Sequence, residues 1–203
     1  MNITKLKAAE KDFFTKYPEG FQSPEMKEIS KKHRVEKMVA LAQSSFNPES
    51  LGNIEEACEN MIKLVTRSSM VSLFEKPKFR DAVRAMNSDE QQVLVTGLGE
   101  LLHGDEEKGF NQLVELLAQY KLAKWTLITV FRCYYYPQTD LLYKPTTVKN
   151  VIKTYELNLM YKPRPTYEFF TKYRQAINSM KQQVHPSLAP NNAAFSGFLM
   201  ITM

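Results

Sequence analysis

A chain of 203 residues with 43% hydrophobic and 24% charged residues has an ordinary globular composition, long enough to bury a core without disulfides or a structural metal. Its two cysteines, Cys58 and Cys133, exclude a disulfide scaffold and favour a reducing, cytoplasmic or otherwise intracellular setting; no apolar run approaches the roughly 20 residues that cross a bilayer, and residues 1 to 10 lack the apolar stretch of a secretory leader. The net charge of +5 is uneven: residues 144 to 203 carry eight Lys or Arg against two Glu, while residues 1 to 143 carry nineteen basic against twenty acidic, an asymmetry that either steers an anionic partner or keeps a face solvated.

Residues 3 to 15 form a short helix with Leu6, Ala9, Phe13 and Phe14 available to pack, and Tyr17-Pro18-Glu19-Gly20 is a turn. Ser23-Pro24-Glu25 starts the next helix, Ser as cap and Pro at the first helical position, where no N–H is needed. That helix is expected to run to about Ser45, with Met26, Ile29, Val35, Met38, Val39 and Ala42 on its apolar side. Asn53 with Glu56 has capping-box spacing before a helix to about Arg67; Pro77 to Met86 reads as helical, and Ser88 with Gln91 repeats the start signal for a helix to about Leu102. Gly97 and Gly99 weaken that last helix, so they mark either close backbone packing or a break.

Asp105 caps a helix ending near Tyr120, and the pattern resumes from Trp125 to Tyr135. Thr126, Ile128, Thr129, Val130 and Phe131 would also suit a strand, but a lone strand leaves its backbone edges unpaired, so helix is the better reading. Pro137 to Pro145 is a long connection, and a subdomain boundary at 137 to 146 is suggested by the change in composition and charge. Thr146 or Thr147 caps a short helix to about Tyr155, and Thr166 a helix to about Gln183. Phe195, Phe198, Leu199 and Ile201 in the Pro- and Asn-rich tail would cover core surface. The fold class is all-α, an irregular multi-helix bundle of about eight to ten helices in a single domain over residues 1 to 203, with no regular solenoid because no fixed-period repeat is present. Ten Tyr against one Trp place many Tyr hydroxyls at helix seams or rims, within reach of water.

Conventional chemistry signals are poor. His33, His103 and His185 lack metal-ligand spacing, neither Cys has a Cys or His close in sequence, and no cofactor motif is complete: Thr96-Gly97-Leu98-Gly99 lacks the Lys-Ser/Thr ending and strand context of a phosphate loop. Glu106-Glu107, Asp89-Glu90 and Glu55-Glu56 are acids of helix first turns. Lys31-Lys32-His33-Arg34 is a basic run flanked by Glu28 and Glu36, the usual pattern of a solvated face. The main functional reading is a helical accessory or binding protein without a conventional catalytic centre, its partner a protein or a second copy of the chain. One alternative is non-sequence-specific nucleic-acid binding through the basic, Tyr-rich segment 144 to 181, where Lys149, Lys153, Lys172 and Arg174 neutralise phosphates while Tyr143, Tyr155, Tyr161, Tyr167 and Tyr173 stack on bases. The other is an enzyme whose site gathers His103, Glu100, Arg132, Tyr134 and Asp140 from a distance in sequence.

Overall fold

A computed structural model describes the backbone of residues 1–203 and the side chains of all of them but Ser30. Eleven α-helices follow one another: α1 (Ile3–Lys16), α2 (Pro24–His33), α3 (Val35–Ser45), α4 (Ile54–Arg67), α5 (Glu75–Ala85), α6 (Ser88–His103), α7 (Glu106–Gln119), α8 (Trp125–Tyr135), α9 (Pro145–Thr154), α10 (Tyr167–Lys181) and α11 (Asn192–Ile201). No strand occurs among the described residues, and the all-α expectation holds.

The helix starts show which local signals the chain uses. Asn53 and Asp105 cap α4 and α7, accepting from the backbone N–H of Glu56 and Lys108. At α6 the signal sits one residue earlier than Ser88 and Gln91: Asn87 accepts from Glu90 N–H while the Glu90 carboxylate accepts from Asn87 N–H, a reciprocal capping box. Pro24 opens α2 as expected, but Ser23 does not cap it; its hydroxyl is buried without a partner among the described residues. The helix expected to span residues 24 to 45 is broken at Arg34, whose backbone is left-handed (φ 49°, ψ 37°). Helix α5 starts at Glu75, with Pro77 in its first turn, and the tail supplies a full helix, α11, capped by Asn191.

Helix α8 is the centre. Every residue from Trp125 to Tyr134 is buried, the condition under which a helix can be apolar all round. Around it the core runs from Leu6 on α1 to Leu199 on α11. Helices α6 and α7 pack most closely: a Cβ placed on Gly109 would stand 2.2 Å from Leu101 N and 2.6 Å from Gly97 O, so two backbones touch where only glycine fits. Gly97 thus marks close packing rather than a break. Gly99 is different, since a Cβ there meets only Leu51 Cδ1 at 3.7 Å.

Six of the ten tyrosines are partly exposed, as a rim position requires, and four depart from that expectation. Tyr134, Tyr143, Tyr155 and Tyr173 are at most 1% exposed. Two of their hydroxyls find close partners inside: Tyr143 donates to Phe170 O at 2.6 Å, and Tyr134 pairs with Ser68 Oγ at 2.9 Å. Tyr143 also stacks on Trp125 and meets Tyr173 edge-on, which joins the 136–144 connection to α8 and α10. The suggested boundary at 137 to 146 therefore coincides with a buried crossing, where Asp140, Leu141 and Tyr143 are all enclosed. Helix α1 packs on α11 through Phe13 and Phe198, and Asn2 N–H donates to Tyr155 O at 2.8 Å.

Candidate functional site

Of the five residues considered for a catalytic cluster, only Arg132 and Asp140 meet. Arg132 donates to both Asp140 oxygens (2.7 and 3.1 Å) and to Leu101 O at 2.5 Å. Arg174 from α10 donates to Asp140 at 3.0 Å and to both oxygens of Glu106 at 2.8 and 2.7 Å, while Arg132 reaches Glu106 at 2.9 Å. Tyr167 and Thr139 add hydroxyl donors to the same carboxylates. Burial pushes the Glu106 carboxyl upward, but the Arg174 hydrogen bonds and the Arg132 and Arg174 charges outweigh it and hold it below the ordinary carboxylate range.

Two guanidinium groups and two carboxylates thus satisfy one another, with no base or nucleophile left free to act on a substrate. The arrangement pins α7, α8, α10 and the 136–144 connection together. His103 lies apart, bonded to Phe46 O at 2.8 Å; Glu100 pairs with Lys108 at 2.7 Å; Tyr134 faces Ser68. Glu106, read from sequence as a first-turn acid, is the member that sequence spacing did not connect to the others.

The basic segment 144 to 181 does not form the expected stacking surface. Tyr143, Tyr155 and Tyr173 are in the core, and Tyr161 and Tyr167 are only partly exposed. Arg174 is turned inward onto Glu106 and Asp140 rather than outward to solvent. Lys172 is exposed but paired with Glu168 at 2.6 Å, one helical turn away. Lys149 and Lys153 remain outward on α9, Lys149 with its ammonium 5.0 Å from the Tyr161 ring centroid.

A different place combines exposed apolar surface with charge. Helices α2 and α3 on one side and α11 on the other enclose an open groove of about 760 Å³, within the size range of small-molecule sites. Phe21, Met26, Met70, Leu142, Met200 and Ile201 give it apolar walls. Lys27, Lys31, His33, Arg34, Lys37 and Lys144 line it as well, against one acid, Glu36. Among the described residues the one ion pair made by this basic set is Lys31 with Glu28, at 2.7 Å. His33 is held by Ser69 Oγ at 2.9 Å, and its pKa is lowered by burial and by the charges of Lys144 and Lys32, so it adds little charge at neutral pH.

The left-handed Arg34 creates this geometry. A non-glycine residue in that conformation carries a cost of about 1–2 kcal/mol, and it turns α3 away from α2 where the groove opens. Sequence reading took the run Lys31 to Arg34 for a solvated face; what it lacked was the break at Arg34 and the partner wall, α11, about 160 residues further along. A second groove, about 490 Å³ between α4, α5 and α6, is bridged on its rim by Arg84, which donates to both Glu59 oxygens at 3.1 and 3.0 Å.

The described residues include no group of His, Cys, Asp and Glu arranged to hold a metal, and no helix is long and apolar enough to cross a membrane. Both cysteines are free and buried. No family model, curated protein or solved structure matches this chain.

Proposed function

We propose that this chain is a binding protein without a catalytic centre of its own, working in a reducing compartment, and that its ligand occupies the groove between α2, α3 and α11. The observation that carries the reading is the pairing of apolar walls with a basic lining opposed by Glu36 alone. An occupant that is apolar in body and anionic at one end would cover the first and neutralise the second. The converging polar residues elsewhere favour binding over catalysis, because Arg132, Arg174, Glu106 and Asp140 are mutually satisfied.

Titration with anilinonaphthalene sulfonate, an apolar anionic dye, tests this on the folded chain. Saturable uptake at one site, weakened in a Lys37→Glu, Lys144→Glu variant of unchanged helical signal, supports the reading. Absence of uptake, or uptake indifferent to the charge reversal, refutes it. Short fluorescent DNA and RNA at several salt concentrations form the second arm. Salt-sensitive binding abolished by Lys149→Ala with Lys153→Ala would move the function to nucleic acid and to α9.

A further inference from the structure

Helix α11 is made of ten residues, Asn-Ala-Ala-Phe-Ser-Gly-Phe-Leu-Met-Ile, and contains no charged side chain. A helix without a charged face is ordinarily enclosed on all sides. Here Phe195, Phe198 and Leu199 are enclosed by the core, whereas Ala193, Ala194, Gly197, Met200 and Ile201 border the groove. Met200 and Ile201 are 51% and 39% exposed, and Ile29 across from them is 41% exposed. The small residues make a slot, and the methionines on its walls adapt to an irregular chain. Around the break between α2 and α3, His33, Arg34, Lys37 and Lys144 line the groove, Lys144 close enough to His33 to lower its pKa, and Lys27 and Lys31 line it further back along α2.

Resting on the groove reading above, we infer that the occupant is a single-chain anionic amphiphile, its acyl chain lying along the uncharged face of α11 and its carboxylate or phosphate head among Arg34, Lys37 and Lys144. One charged head on an apolar tail matches an uncharged helix face set opposite a basic wall. An acidic amphipathic peptide helix would carry acids along its whole polar face, whereas the α11 side of the groove carries no charge to meet them.

Calorimetric titration of the full chain with decanoate, dodecanoate and dodecyl phosphate, each below its micelle concentration, tests the assignment. Dodecyltrimethylammonium and dodecyl maltoside serve as cationic and neutral comparisons. The two anionic series are expected to bind at one site per chain, each added CH₂ tightening binding by up to about fourfold, with the cationic and neutral amphiphiles weaker. Preference between carboxylate and phosphate identifies a free fatty acid or a lysophospholipid-type head. Two variants keep the test independent of folding. Gly197→Leu fills the slot, where a Cβ meets only Phe21 at 3.9 Å, and is expected to abolish binding without lowering the melting temperature. Arg34→Gly relieves the left-handed backbone and removes one cation, so binding should weaken about two- to fivefold while stability is kept or raised.

Equal binding of cationic and anionic amphiphiles, or binding that survives Gly197→Leu, overturns the inference. So does co-sedimentation with phosphatidylserine vesicles undiminished by Gly197→Leu, since that would be docking of a basic surface on a bilayer. Uptake of the sulfonate dye, or of an acidic helical peptide, without uptake of dodecanoate would leave the groove reading standing and overturn the acyl assignment. Failure of the dye itself overturns both.

Discussion

Replacing Gly109 by alanine should damage this fold far more than its single added methyl suggests. The new Cβ would stand 2.2 Å from Leu101 N and 2.8 Å from Glu100 C, atoms of a helix backbone that cannot rotate aside. Ordinary contact starts at 3.4 Å, so α6 and α7 must part by about 1.2 Å, a gap of the size that forfeits a quarter to a half of a dispersion well. Leu98, Leu101, Leu113 and Leu117 are buried on these two helices. With about 40–60 contacts of 0.1–0.2 kcal/mol per leucine and roughly a third of them across the seam, the loss is about 3–5 kcal/mol.

Alanine recovers about 1 kcal/mol of helix propensity, leaving a net destabilisation of about 2–4 kcal/mol. For a chain of 203 residues that lowers the melting temperature by about 5–15 °C. The control is Gly99→Ala in the same pair of helices. There the Cβ meets a leucine methyl at 3.7 Å, so propensity alone should act and stability should rise by about 0.5–1 kcal/mol. Urea unfolding followed by circular dichroism gives both values. A Gly109→Ala variant as stable as the parent, or a Gly99→Ala variant as damaged as Gly109→Ala, would refute the assignment of a backbone contact at Gly109.

Three further outcomes follow from the same geometry. Asp140→Ala, which removes the enclosed carboxylate that Arg132 and Arg174 share and leaves both on Glu106, should cost about 2–3 kcal/mol in chemical unfolding; a loss under 1 kcal/mol would show that Asp140 does not tie the network together. Because the folded Glu106 pKa lies below the ordinary 4.5, its contribution is present above about pH 4.5 and is lost as pH falls through the lower folded value. Glu106→Gln should therefore be less stable than the parent at neutral pH, with the difference narrowing in acid, as unfolding at a series of pH values would reveal. Burial pushes the Cys58 thiol up to about 11 and Cys133 up to about 12, so both should resist a disulfide reagent at pH 8 in the native state and react quickly in denaturant; rapid native reaction would contradict the packing around them.

Helix positions were largely legible in the sequence because caps and apolar spacing act over three or four residues. Asp105 and Asn53 show this directly, and the displaced start at Asn87 shows its resolution: Asn87-Glu90 and Ser88-Gln91 are equally plausible frames until the carboxylate finds an N–H. The break at Arg34 left no such mark, since no glycine or proline announces a left-handed residue there. Arg174 was expected at the surface because a charge on a helix usually stays in water; Glu106 and Asp140, from two other parts of the chain, draw it inward. The groove was the least visible feature, since its walls come from residues 21 to 37 and 190 to 201, with Met70, Cys133, Leu142, Lys144 and Thr147 between.

That Phe13 rests on Phe198, and Asn2 on Tyr155, sets an order on how the molecule can be made. During synthesis α1 leaves the ribosome about 180 residues ahead of α11, so Phe13 can meet Tyr17 and Phe21 early but waits for Phe198. Closure of so long a loop is slow relative to local helix pairing. Until α11 follows, the nascent chain therefore carries part of the α1 apolar stripe uncovered, and α6 and α7, neighbours in sequence joined at Gly97 and Gly109, are the natural place for ordered structure to begin.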